Sequence, residues 1–204
     1  MKRRATPRAY QMTSRADSAR RTSERILDAV TALFWERPAD QIVLADVAAR
    51  AGITVQTVIR RFGGREGLMA AAAERAVAQV EEQRRVAPDD VGQAVAHLVE
   101  HYEQLGRAVL RLLAAEEGSP AMAVYADRGR ASHRRWCADS FPAALAGLKR
   151  AQRTRRLAQL AAVTDVYMWK LLRLDAGLSR PQLQLALLEL LEPLLSTPDP
   201  TGNT

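Results

Sequence analysis

The segment Val43–Phe62 constrains this chain more than any other. Two short runs, Leu44–Ala51 and Val55–Phe62, carry apolar residues at helical spacing and meet at a single glycine, Gly52. Glycine at that point ends a helix because the left-handed conformation costs it little. Thr54 follows as a cap for the second helix. Val47, Ala48, Ala51, Ile53, Val58 and Phe62 are spaced to pack the two helices together, and the small side chains of Ala48 and Ala51 allow a close crossing. Ahead of this pair, Ile26, Leu27, Ala29, Val30, Leu33 and Phe34 recur at helical spacing, with Thr22 or Ser23 near the N-cap and Arg37-Pro38-Ala39-Asp40 as the break.

The rest of the chain repeats the helical period. A helix begins near Arg65 after Gly63-Gly64 and runs to about Arg85. Further helices hold Val91 to Leu105 and Val109 to Leu113. Two stretches split near Phe141-Pro142, a long helix covers about Thr154 to Asp175, and a last one, Arg180 to Leu195, is capped by Ser179. No strand-type alternation and no internal repeat occurs, so the fold class is all-α. The organisation expected is a disordered basic arm at 1–20, a helix-turn-helix unit at 21–68, a larger helical unit at 69–195 and a disordered tail at 196–204.

The formal net charge is +7 over 204 residues. A basic chain is drawn to polyanions, and charge alone does not choose among nucleic acid, anionic membrane and acidic partners. The excess is nearly all arginine, which suits bidentate contact with phosphate and guanine and equally follows from a GC-rich genome. A single cysteine, Cys137, excludes an internal disulfide and fits a reducing cytoplasm. No apolar run approaches the ~20 residues of a membrane span. These features point to a cytoplasmic protein with no membrane partner.

The second helix of the pair presents Thr54, Gln56, Thr57, Arg60 and Arg61 on its polar side. Such a helix fits the major groove of duplex DNA, about 12 Å wide. Gln56 has the amide geometry to read adenine, Arg60 to read guanine, and Thr57 and Arg61 to hold phosphates. A plain helical hairpin with a solvated charged face is the competing reading; the coincidence of turn glycine, small-residue crossing, cap and basic excess favours the DNA-binding one. The basic arm would add affinity, either in a minor groove or as sequence-independent attraction.

The run Arg25-Ile26-Leu27-Asp28-Ala29, then Asp46-Val47-Ala48-Ala49-Arg50-Ala51-Gly52-Ile53-Thr54, then Phe62-Gly63-Gly64-Arg65-Glu66-Gly67-Leu68 resembles the DNA-binding domain of the TetR (tetracycline repressor) family over about residues 22–75. Asp165 to Arg173, with Gly177 to Arg180, resembles the junction of that family's last two long helices. The resemblance implies a three-helix helix-turn-helix domain, a larger helical effector domain and a homodimer on a double-stranded DNA operator. It also implies a repressor released from a palindromic site by a small molecule, here unknown. It places Thr54, Val55, Gln56 and Thr57 at the opening of the recognition helix and Arg65 at a phosphate-holding position. Val43 stands where a capping threonine is frequent, Ile59 where a tyrosine is common, and Gly63-Gly64 where Pro-Ser is usual. A basic architectural protein that binds DNA without sequence preference is the alternative.

Beyond residue 69 no catalytic motif and no cofactor signature is found, and no enzyme activity is expected. Leu98, Tyr102, Met122, Tyr125, Trp136 and Phe141 are candidates to line an effector pocket, and equally to form ordinary core. His97 and His101, spaced i, i+4 around Glu100, have metal-ligand spacing, although a polar helix edge explains them as well. Cys137 beside Arg134 and Arg135 reads either as an activated thiol or as a packed one, and the packed reading is preferred. The last helix is apolar around most of its circumference. With Tyr167, Met168, Leu171 and Leu172, its Leu183, Leu187, Leu190 and Leu191 are expected to build an intermolecular four-helix bundle.

Overall fold

In the computed structural model, which describes residues 7–118 and 120–196, the chain divides into two units, the division falling after Arg75. No strand forms among the described residues.

The N-terminal unit begins with α1 (Pro7–Glu36). The helix therefore starts well before residue 21, and the stretch expected as a basic arm is helical from Pro7 on; residues 1–6 lie outside the described residues. Proline is accepted in a first helical turn, where its missing N–H costs nothing, and no glycine or further proline interrupts the run to Glu36. Thr22 and Ser23 are accordingly interior residues rather than caps. Their hydroxyls donate back to the carbonyls of Ser18 and Ala19 at 2.9 and 3.2 Å. A 3-10 turn, Ala39–Gln41, follows, then α2 (Leu44–Ala51), α3 (Val55–Phe62) and α4 (Arg65–Gln83), whose first part belongs to this unit. Ile26, Val30, Leu33, Ile42, Val47, Ala48, Ala51, Val58, Leu68 and Met69 are buried. They are the apolar stripes the periodicity marks out.

The C-terminal unit is arranged around α5 (Val91–Ala114), with α6 (Pro120–Ser140), α7 (Arg150–Val163), α8 (Val166–Trp169) and α9 (Arg180–Leu195). Its core joins Val95, Leu98, Tyr102, Trp136, Phe141, Leu145, Leu160, Trp169, Leu183, Leu187 and Leu191. Two helix boundaries depart from expectation. The separate helices anticipated over 91–105 and 109–113 are one, because Gly106 does not break α5; it makes room for a ring. A Cβ on Gly106 would lie 2.6 Å from the Trp169 indole. The long helix anticipated from Thr154 to Asp175 is interrupted at Thr164-Asp165. There the Thr164 hydroxyl donates to Leu160 O at 2.7 Å, and the Asp165 carboxylate accepts from Tyr167 N at 2.9 Å, starting a new helix. Side chains that offer the backbone such bonds compete with helix continuation. α8 then runs into a π-helical stretch, Lys170–Asp175. The tail expected to be disordered, residues 196–204, lies outside the described residues beyond Ser196.

Candidate nucleic-acid interface

α2 and α3 are held in a fixed relation by the turn between them. Gly52 adopts φ +63°, and its N–H bonds back to Ala48 and Ala49. The guanidinium of Arg25 on α1 donates to the Ala51 carbonyl and, at 3.3 Å, to that of Gly52. A charged donor thus closes the carbonyl end of α2 where α3 departs. Thr54 caps α3: its hydroxyl accepts from Thr57 N at 3.3 Å and lies 3.0 Å from the Thr57 hydroxyl. Val43 provides no side-chain cap to α2, as its side chain requires.

Within α3 the faces separate cleanly. Val58 is fully buried and Phe62 partly so, while Val55, Gln56, Ile59, Arg60 and Arg61 are exposed and Thr57 is half-buried. Gln56 and Arg60, at i, i+4, project together, and among the described residues neither has a hydrogen bond or ion pair recorded within the fold. Arg37 and Arg50 of this unit are already engaged. Arg37 pairs with Asp46 at 2.7 Å, and Arg50 with Glu36 at 2.6 Å. The hydrogen bond from Arg50 holds the Glu36 carboxyl below its ordinary range. Arg61 lies 3.3 Å from the Ser23 hydroxyl.

Arg65 departs from expectation. Its Nε donates to Ile42 O at 3.0 Å and its Nη2 to Ala39 O at 2.6 Å. The guanidinium braces the 3-10 turn ahead of α2, bonding Ile42 O and adding a second donor to Ala39 O, which already accepts from Ile42 N at 3.3 Å. Two exposed apolar residues, Val43 and Ile59, were not singled out as contact residues by sequence reasoning. Ile59 is 38% and Val43 49% exposed. The signal was there for Ile59: it follows Val55 by four residues, opposite Val58 and Phe62, so it belongs to the solvent face.

The residues expected to line a ligand pocket are placed otherwise. Leu98, Tyr102, Trp136 and Phe141 pack into one core cluster, and Met122 and Tyr125 are buried on α6. The Trp136 and Phe141 rings meet edge-on at 5.7 Å, the Tyr102 hydroxyl donates to Thr164 O at 3.1 Å, and Trp136 Nε1 donates to Arg84 O at 3.0 Å. Large apolar side chains gain most from full burial, so they fill the interior rather than edge an opening. Two concavities are lined by other side chains. One, of about 410 Å³, is bordered by Leu113, Ala114, Glu116, Glu117, Arg130, Asp165 and Tyr167. The other, of about 320 Å³, is bordered by Gln83, His97, Glu100, His101 and Gln104. Among the described residues no group of three or more His, Cys, Asp or Glu side chains is placed to hold a metal ion.

The expected dimer residues divide. Leu183, Leu187 and Leu191 are buried within the chain's own core, since their i, i+4 stripe packs on α5 and α7. They are not available to a partner. Tyr167, Leu171 and Leu190 are exposed, as is Leu185, while Met168 and Leu172 are half-buried.

Cys137 is fully buried, 3.4 Å from the Thr164 hydroxyl and 3.9 Å from His133 Nε2. Burial pushes its thiol up to about 11. Because the thiolate is the reactive form, an aromatic disulfide reagent at pH 8 should leave the folded protein unmodified and titrate one thiol once it is unfolded. Rapid reaction of the native protein would show that Cys137 is accessible and activated.

A capped, exposed polar helix held on two others by a glycine turn defines a helix-turn-helix domain of the DNA-binding class. Residues 26–72 match the family described as bacterial regulatory proteins, tetR family. No curated relative matches the sequence. Solved structures share the fold at low identity. A transcriptional regulator of Pseudomonas aeruginosa PAO1 superimposes with a TM-score of 0.65 at 15% identity, over 85% of this chain and 89% of its own. The SmeT–triclosan complex gives 0.62 at 18%, over 88% and 99%. A tetR-family regulator from Streptomyces coelicolor gives 0.61 at 15%, over 86% and 82%. That family match lies within the N-terminal unit, and the chain shares the all-helical fold of these solved regulators.

Proposed function

We propose that this protein is a cytoplasmic, dimeric repressor that binds a palindromic operator through α3 and is released from it by a small molecule held in the C-terminal unit. The observation that carries the reading is the division of α3: Val58 anchors it, Thr54 caps it, and Gln56 and Arg60 stand exposed without partners recorded within the fold. Side chains that are solvated in the free protein and aligned on one helical face are the ones a major groove can engage without breaking internal bonds. Val55 and Ile59 flank them and offer apolar contact to thymine methyls. Thr57 and Arg61 hold backbone phosphates, and Arg65 positions the domain from within.

A two-fold dimer places two copies of α3 on successive major grooves. Exposed Tyr167, Leu171, Leu185 and Leu190 are the apolar residues a second copy would cover, with half-buried Met168 and Leu172 beside them. SmeT, solved with triclosan, gives the ligand-binding half of the reading its support. A ligand releases DNA only by preferring the conformation that binds DNA poorly.

The test is selection of binding sites from random duplexes, followed by competition against non-specific DNA over a salt series. A palindrome preferred by ~10³ or more supports a site-specific dimer. Equal affinity for all duplexes, with only a steep salt dependence, would instead make this a non-specific architectural protein. Gln56→Ala should weaken the selected site by about 1–3 kcal/mol and relax preference at one base pair in each half-site. A uniform loss across all sequences would show that Gln56 contacts only the backbone.

A further inference from the structure

Among the described side chains, the core of the N-terminal unit begins at Ile26. None of residues 17–25 of α1 is buried, and Arg20 and Arg21 are exposed. The helix nonetheless starts at Pro7, so about 24 Å of it precedes Ser23. A stretch that buries no described side chain draws little stability from packing, and what this one offers is charge. Between Pro7 and Ser23 the sequence has Arg8, Arg15, Arg20 and Arg21 against Asp17 alone. Arg20 pairs with Glu24 at 3.3 Å, an exposed pair that water screens, and among the described residues no acid pairs with Arg21.

Two contacts fix where this stretch leaves the unit. Arg25 donates to the carbonyls of Ala51 and Gly52, at the turn ahead of α3. The Ser23 hydroxyl accepts from Arg61 of α3 at 3.3 Å. The helix thus leaves the unit beside the Arg61 edge of α3, the edge read above as holding phosphate. Its helical form decides between the two roles the sequence leaves open to a basic arm. With side chains an α-helix is about 10 Å across, whereas the minor groove is about 6 Å wide, so an intact helix does not enter it. The adjoining major groove is taken by α3. What remains beside α3 is the sugar-phosphate backbone.

We infer that α1 ahead of Ile26 is a second DNA-binding element, a basic helix that lies on the backbone phosphates beside each half-site, with Arg20 and Arg21 as its contacts nearest α3. The inference rests on the reading of α3 as the recognition helix. It adds a surface that supplies affinity and positioning without sequence preference.

The test compares the full chain with a double variant, Arg20→Gln with Arg21→Gln, which keeps a helix propensity close to that of arginine and touches no buried residue. On the selected operator, hydroxyl-radical footprinting of the unaltered protein should show backbone protection reaching beyond the base pairs whose substitution weakens binding. The double variant should lose the part of that outer protection next to the half-site and keep the protection under α3. Its affinity should fall about ten-fold or more, equally for operator and arbitrary duplex, and its salt dependence should become shallower by about one for each arginine removed. Ser18→Pro breaks the helix ahead of Arg20 and leaves the charge unchanged; it should shorten the outer protection from its far end. Unchanged protection and salt dependence in the double variant would overturn the proposal, as would a loss confined to particular base pairs, which would mean that these arginines read sequence. Full outer protection in Ser18→Pro would overturn the helical form and leave a flexible arm. Failure to select any operator overturns the regulator alone, because the salt dependence on an arbitrary duplex still reads Arg20 and Arg21.

Discussion

Replacing Gly67 by alanine should destabilise the N-terminal unit by about 3 kcal/mol, a large part of the stability of a small domain. The usual sign is the opposite. In a helix interior alanine is favoured over glycine by about 1 kcal/mol. Gly67 lies in the first turn of α4, and a Cβ there would sit 1.8 Å from the carbonyl oxygen of Phe62. That atom is backbone at the end of α3, so it cannot rotate away as a side-chain tip would. Relief requires α4 to move off α3, or the last turn of α3 to open, and either displaces Arg60 and Arg61. The clash outweighs the propensity gain, and DNA affinity should fall with stability. Gly129→Ala is the control. Gly129 is exposed on α6 with nothing within 4 Å of its would-be Cβ, so there the same substitution should raise stability by about 0.5–1 kcal/mol. Denaturant titrations of both variants, followed by helical circular dichroism, decide the matter; two variants of the same sign would refute the steric argument.

That contrast bears on what a sequence carries. The three-helix unit was legible because its determinants are local: a glycine at a left-handed turn, a threonine cap, and apolar stripes four residues apart. The exposed face of α3 followed from the same period. The role of Arg65 was not legible, since its acceptors, Ala39 and Ile42, lie more than twenty residues away and only the fold brings them near. Gly106 reads as a helix breaker until Trp169 is seen lying over it. In the C-terminal unit, apolar periodicity marks Leu183, Leu187 and Leu191 as buried but does not say against what. Their own core takes them, leaving Tyr167, Leu171, Leu185 and Leu190 exposed. The large side chains chosen as pocket lining became core, while His97 and His101, which also read as a polar helix edge, border a cleft. Size predicts burial, not a pocket wall.

A buried polar cluster around Arg84 should make the protein acid-sensitive well above the range where carboxylates titrate. His101 and His133 are each held down to about 3 from an ordinary value of 6.5, by burial first and by the Arg84 charge second. Around them stand Arg84, Tyr102 from α5, Cys137 from α6 and Thr164 at the end of α7, and none of these offers a negative charge to stabilise an imidazolium. In the unfolded chain both rings take up protons near pH 6.5; in the folded chain neither does until about pH 3. Between those values the unfolded state binds more protons, so stability falls as pH falls. The contribution is fully present above pH 6.5 and is lost progressively toward pH 3. At pH 5 the loss relative to pH 8 is about 2 kcal/mol for each histidine. Glu36, Glu81, Glu100 and Glu103 are held below 4.5 by their partners. Their losses therefore enter mainly at lower pH, and the window from pH 7 to 5 isolates the histidines. Urea unfolding across that window should show the stability dropping with a slope approaching two protons, and His101→Gln should remove about half of it. A flat profile would mean that the rings find water or a counter-charge on protonation. In that case the positive environment around Arg84 would be far weaker than its burial implies.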